Sequence, residues 1–254
     1  MKKLFLIIVG LTIVFISSAQ SSHIYQVDKA SILKNLLGNF NIKNATSFWI
    51  TSDTGILNRF SIKEKLDTLY TSVLKIDTIR IDKVDYLLVV TQTKPKEFDC
   101  HSCAPLLGIV LLMQNTDSWE LFNQFYLTSI GSWGNATKPR LEHIGHDKFG
   151  ISFKTGSTGQ GYSSLAFIIY EIELRSSKRI LIIDDYGADN FGTCDEQKGT
   201  CWTYNSIYSF VDTQKEYYDL VVKTKGTKNY STKIVPIDNR RVYHYIGISY
   251  IEEK

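Results

Sequence analysis

From residue 76 to the C-terminus the chain alternates short apolar runs with polar turns, and it carries no long helical pattern. Ile76, Ile79 and Ile81 precede a turn at Asp82-Lys83. Apolar or alternating runs follow at 86–93, 106–113, 118–128, 148–153, 165–174, 179–183, 202–211, 217–224, 233–237 and 242–251. In a strand, side chains alternate between faces, so alternation of this kind marks half-buried strands. Tyr (15) and Phe (13) are plentiful and Pro (4) and Met (2) scarce, which suits pleated surfaces. Around ten strands of this sort fit a mainly β (α+β) fold. The expected architecture is antiparallel sheets in a sandwich, barrel or partial propeller. The regular strand–helix alternation of a doubly wound sheet is missing.

The region before residue 76 adds one or two short N-terminal helices. Asp28 caps a segment in which Ile32, Leu33, Leu36 and Leu37 recur at helical spacing, and Gly38 sits where a helix ends. A second helix is expected from Ser61, whose spacing to Glu64 makes a capping box, with Ile62, Leu66, Leu69 and Val73 along one side. Residues 46–51 read as a strand between them. Residues 20–254 form one β-rich domain in this reading, with residues 20–75 as a small helical part in the alternative.

The N-terminus has the order of a secretory signal peptide over residues 1–19. Met1-Lys2-Lys3 is basic, residues 4–16 are almost wholly apolar, and Ser17-Ser18-Ala19 offers small residues for cleavage before Gln20. The apolar run falls short of the roughly 20 residues that span a bilayer. The mature chain is therefore expected to be exported, periplasmic or extracellular, with no membrane span after cleavage. Removing Lys2 and Lys3 lowers the formal net charge from +3 to +1. So weak a charge excludes the electrostatic attraction that nucleic-acid binding needs.

Export decides how the four cysteines read. Cys100, Cys103, Cys194 and Cys201 most simply form two disulfides in an oxidising compartment. Short spacing favours local pairs, Cys100–Cys103 and Cys194–Cys201; cross-pairing is the alternative and closes longer loops. Cys100-His101-Ser102-Cys103 also has the spacing of a redox dithiol, but residues 106–112 read as a strand or buried run where such motifs open a helix. A zinc site of four thiolates, or of three with His101, is the remaining alternative. Ala104 after Cys103 excludes a c-type haem, and no cofactor is expected.

The stretch Phe98-Asp99-Cys100-His101-Ser102-Cys103-Ala104-Pro105-Leu106-Leu107-Gly108, with Trp119 beyond it, resembles a segment of uncharacterised exported bacterial β-rich proteins. Gly131-Ser132-Trp133-Gly134 and Thr158-Gly159-Gln160-Gly161-Tyr162 are similar to later segments of the same group. The resemblance spans about a third of the chain and rests on short motifs. It implies an exported β-rich protein and no activity.

Other segments offer weaker sites. Gly156, Gly159 and Gly161 read as a long hairpin loop, with a rim over a binding site as its functional version; a phosphate loop needs Lys-Ser/Thr and a helix next, where Tyr162 and a strand follow. Asp184, Asp185, Asp189 and Asn190 gather oxygen ligands suited to calcium, though Asp and Asn are also turn residues. Glu142-His143-Ile144-Gly145-His146-Asp147 reads as a solvated hairpin end. Tyr204, Tyr208, Tyr217, Tyr218, Tyr243, Tyr245 and Tyr250 crowd the last third, where they either line a sheet's inner face or stack a ligand. Tyr217 and Tyr218 face opposite sides of any strand. Neither a Gly-x-Ser-x-Gly elbow nor His-Glu-x-x-His is present. The expected function is a non-enzymatic envelope protein that binds a protein or glycan partner. The alternatives are a thiol–disulfide protein using Cys100 and Cys103, or a metal-dependent protein holding calcium or zinc.

Overall fold

The structure is a computed structural model and describes residues 24–64, 66–230 and 233–253. The expected signal segment, residues 1–19, and the expected new N-terminus at Gln20 lie outside them. The described chain is mostly β, in two antiparallel sheets that are not closed into a barrel. The first sheet holds β1 (Phe40–Asn41), β2 (Thr46–Thr51), β3 (Asp67–Ile81), β4 (Val84–Pro95), β5 (Leu106–Asn115) and β6 (Ser118–Ser129). The second holds β7 (Arg140–Gly145), β8 (Lys148–Gly159), β9 (Tyr162–Ile172), β10 (Ser177–Asp189), β11 (Thr203–Val211), β12 (Asp219–Tyr230), β13 (Lys233–Ile246) and β14 (Ser249–Glu252). In both sheets the spatial order of strands is their order in the chain.

Burial follows from the two-residue period. On β4, Leu88 and Val90 point towards the second sheet, where Ile151, Phe153, Ile168 and Tyr170 complete a shared core. Leu87 and Val89 point the other way, against α1 (Lys29–Leu37). A strand covered on both faces has no polar side, which is why residues 86–90 read as an unbroken apolar run. Helix α1 forms as its caps dictate: Asp28 Oδ1 accepts from Ser31 N at 2.9 Å, and Gly38 ends it with φ 65°. Ile32 and Leu33 are its buried residues.

The second helix is not the expected one. Helix α2 (Thr54–Arg59) starts at Asp53, whose Oδ1 accepts from Gly55 N at 2.8 Å and Ile56 N at 3.2 Å. Ser61 follows the helix with φ 58°. Leu69 and Val73 lie on β3, which pairs with β2 on one side and β4 on the other. Their separation of four satisfies both a helical and a two-residue period; pairing on two sides decides for the strand. Two further boundaries differ. Of the expected solvated hairpin end over 142–147, His146 and Asp147 form the exposed turn between β7 and β8, while 142–145 belong to β7, where Leu141 and Ile144 turn towards the two cores. Residues 242–251 are split by Gly247 (φ 66°) into the end of β13 and most of β14.

The second sheet folds over on itself. β10 and β11 pair at only three positions, Gly187–Asp189 against Thr203–Asn205. Just before them, Asp184, Asp185 and Tyr186 bulge out of the β9–β10 register between Ile183 and Gly187. Bulges bend and twist a sheet, and here β11–β14 swing across the face of β7–β10. Between the two leaves lies a second core containing Phe167, Ile169, Ile183, Tyr186, Leu220, Val222, Tyr243 and Tyr250. The segment before β12 is stitched to β7: Tyr218 N donates to Ile144 O at 2.9 Å and His146 N to Glu216 O at 3.0 Å. Among the described residues no helix is long and apolar enough to cross a membrane.

Candidate functional site

A groove of about 420 Å³ lies in the second sheet where β8 to β11 run side by side. Its walls come from four consecutive strands: Gly156, Ser157 and Thr158 of β8, Ser163, Ser164 and Leu165 of β9, Gly187, Ala188 and Asp189 of β10, and Thr203, Tyr204 and Asn205 of β11. Small residues make the space. A Cβ on Gly156 would lie 2.4 Å from Ser164 O, so only glycine lets β8 and β9 approach this closely.

The rim is pinned by the second disulfide loop. Cys194 is bonded to Cys201 between β10 and β11. Asn190, which is buried, organises the same loop: its Nδ2 donates to Thr200 O at 2.9 Å, its Oδ1 accepts from Trp202 N at 2.8 Å, and its own carbonyl accepts from Thr193 N and Cys194 N. The β8–β9 turn at Gln160 (φ 51°) and Gly161 (φ 78°) docks against this loop through Gly192 N to Gly161 O at 3.0 Å. A side chain on Gly161 would collide with Thr193 and Gly192.

The groove's lining is hydroxyl, amide and one carboxylate, with the buried Tyr204 as its one aromatic member among the described residues. Ser157 and Ser164 hydroxyls lie 3.1 Å apart, and those of Thr158 and Ser163 3.4 Å. Asn205 Oδ1 accepts from Ser206 N at 2.9 Å, which commits the oxygen and leaves Nδ2 as a donor at the wall. Asp189 Oδ1 accepts from Phe191 N at 3.1 Å. Trp202 stacks on Tyr204 with ring centres 6.2 Å apart, and Tyr162, 51% exposed, tilts against Trp202 at 6.4 Å. Lys228 Nζ lies over Tyr204 at 5.1 Å and over Tyr230 at 5.9 Å.

A separate polar cluster lies inside the fold. Glu142 and Glu171 both stand opposite Gly150 of β8, from the two flanking strands, and so share one face. Glu142 is buried and accepts from Ser152 Oγ at 2.7 Å and from the Tyr208 hydroxyl. Glu171 is 2% exposed and accepts from Tyr217 OH at 2.5 Å, Tyr245 OH at 3.3 Å and Lys178 Nζ at 3.1 Å. Tyr217 and Tyr245 are stacked at 3.6 Å, with Lys148 over the first ring and Lys178 over the second. Burial, aided by the Glu142 carboxylate, pushes the Tyr208 phenol up to about 12. Burial and the bond to Glu171 push Tyr217 up as well, and hydrogen bonding to Tyr245 and Glu171 holds the Lys178 ammonium above its usual range. A shallow pocket of about 390 Å³ opens on this cluster beside Lys215, Glu216 and Gly247. Its lysines are already matched: Lys178 to Glu171 and Glu173, Lys215 to Asp219. Such an arrangement satisfies its own charges and offers none to a ligand.

Of the residues singled out from sequence, Gly156 lines the groove and Gly161 makes its rim turn. Gly159 is the last residue of β8. Gly156 and Gly159 do not adopt positive φ; the reason for glycine at 156 is close strand approach. Tyr217 lies at the second pocket, and Tyr218 packs its ring edge-on against His146 at 5.3 Å. The cysteines form the two local disulfides, Cys100–Cys103 between β4 and β5 of the first sheet and Cys194–Cys201 in the second. His101 is exposed and stands edge-on to Trp133 at 5.4 Å. Asp184 and Asp185 fall in the β10 bulge, where Asp185 pairs with Arg241 at 2.9 Å. Asp189 is at the groove wall, and Asn190 is spent on the loop. Among the described residues no three His, Cys, Asp or Glu side chains are gathered to hold a metal. Sequence reasoning passed over Asn205, Ser163, Ser164, Trp202 and Lys228. The available signal was Trp202-Thr203-Tyr204-Asn205, an aromatic–polar alternation that starts directly after a bridged cysteine. In comparisons with known proteins, no family model, no curated protein and no solved structure matches this chain.

Proposed function

We propose that the protein is an exported, non-enzymatic envelope protein that binds a glycan in the groove between β8 and β11. The observation that carries this reading is the groove wall itself: Thr158, Ser163, Asp189, Thr203 and Asn205, which the strand register places on one face, with Ser157 and Ser164 on the other. Sugars present dense hydroxyls along the ring edge, which a wall of hydroxyl, amide and carboxylate groups meets. Among the described residues, Asp189 is the only carboxylate that lines the groove. Glycoside hydrolysis ordinarily needs two flanking a bond, so the reading is binding and not cleavage. The two disulfides support passage through an oxidising compartment.

Calorimetric titration of the mature chain, residues 20–254, with a panel of soluble envelope oligosaccharides tests the proposal. At least one saccharide is expected to bind. Asn205→Ala and Asp189→Ala each lower its affinity about tenfold, equivalent to about 1.4 kcal/mol, with an unchanged circular dichroism spectrum. Lys215→Ala, at the other pocket, leaves the affinity alone. If a folded chain retains no saccharide, the glycan reading fails and the protein-partner reading replaces it.

A further inference from the structure

The loop Cys100-His101-Ser102-Cys103 plays no part in the groove, and its disulfide is placed unlike the other. Cys194 and Cys201 are half-buried in a loop that Asn190 would hold even without the bridge. Cys100, His101 and Ser102 are all exposed, and Ser102 Oγ lies 3.7 Å from Cys100 Sγ. The flanking strands do not depend on the bridge, because the β4–β5 ladder runs up to Thr93 opposite Leu106. The loop's main chain is read by a neighbouring turn. Trp133 N donates to Cys100 O at 3.1 Å and Gly134 N to Cys103 O at 2.7 Å, while Lys94 Nζ donates to Gly134 O at 2.7 Å. Trp133 itself is 56% exposed beside His101.

We propose that Cys100–Cys103 is an exchangeable disulfide that takes two electrons from a dithiol protein partner. Exchange requires a sulfur that an attacking thiolate can reach, and Cys100 belongs to an exposed loop with His101 and Ser102. It also requires that opening the bridge leave the fold standing, which the intact β4–β5 ladder provides. In the first step a partner thiolate attacks Cys100 Sγ, a mixed disulfide forms, and Cys103 leaves as a thiolate that takes a proton from water. In the second, the partner's other thiol loses its proton and attacks its own sulfur of the mixed disulfide. Cys100 then leaves as a thiolate, with the Ser102 hydroxyl placed to donate to it. The partner ends as a disulfide, and Cys100 and Cys103 end as a dithiol. Trp133, bonded through its backbone to the reacting loop, reports the change.

Equilibration of the full chain in glutathione buffers, followed by acid quenching, alkylation and peptide mapping, tests this. Cys100–Cys103 is expected to be half-reduced where the equilibrium constant is at least tenfold more permissive than for Cys194–Cys201, which is about 30 mV for a two-electron couple. The chain with its Cys100–Cys103 bridge intact is expected to give, after acid quenching and alkylation of the freed Cys103, a mixed disulfide through Cys100 with a thioredoxin-fold protein whose resolving cysteine is serine. A fluorescence change on reduction should vanish in Trp133→Phe. Reduction of both bridges together, earlier reduction of Cys194–Cys201, or loss of the circular dichroism spectrum when Cys100–Cys103 opens would each overturn the proposal.

Discussion

Gly145 has no room for even a methyl group. A Cβ there would lie 2.1 Å from Glu216 O and 2.9 Å from Tyr217 Cα, both backbone atoms with little freedom to shift. Gly145→Ala is expected to lower stability by more than about 2 kcal/mol, read as a lower urea midpoint. Tyr208→Phe tests the interior carboxylate. It removes a donor to Glu142, which stays buried with Ser152 as its remaining hydroxyl partner, and is expected to cost about 1–3 kcal/mol. The same residue sets an alkaline limit. A folded-state pKa of about 12 lies above the ordinary phenol value, so the native state keeps a proton that the unfolded chain releases. Stability is then complete below pH of about 10 and falls as pH rises from there through about 12. Denaturation midpoints across that window should fall, and less steeply for Tyr208→Phe. None of this was legible in the sequence. Tyr208 and Glu142 are 66 residues apart, and no local pattern announces that a polar residue at a strand's inner position has a partner that far along the chain.

At the scale of elements, legibility followed locality. The caps of α1 are written within ten residues, and the helix lies where Asp28 and Gly38 place it. The turn at Asp82-Lys83 was equally readable, with both residues at positive φ. Leu69 and Val73 misled because a separation of four is shared by both periods, and only pairing with β2 and β4 distinguishes them. The groove was half legible: glycines marked the β8–β9 hairpin, but the polar wall needs β10 and β11 alongside it. Asn190 looked like a metal ligand in sequence because an amide that ties a loop has the same composition as one that coordinates a cation. Asn190→Ala should loosen residues 191–201 without unfolding the sheet. Hydrogen exchange is expected to speed up at Thr193, Cys194 and Trp202 by roughly tenfold or more, the equivalent of about 1–2 kcal/mol lost locally.

For the whole molecule, the shared core dictates how it unfolds. Leu88, Val90 and Ile109 of the first sheet and Ile151, Phe153 and Ile168 of the second cover one another, so neither sheet keeps its inner face dry alone. Leu88→Ala is expected to lower stability by about 2–5 kcal/mol, and tryptophan fluorescence and far-ultraviolet dichroism should still report one shared transition. The ordering of strands has a kinetic meaning too. Because within each sheet every strand bonds to its neighbour in the chain, no ladder waits for a partner that is made or delivered much later. Each hairpin can zip onto the last as the polypeptide emerges, N-terminal end first, with only short loops to close at each step. A chain handed through a narrow channel unfolded would then rebuild itself in the order in which it arrives.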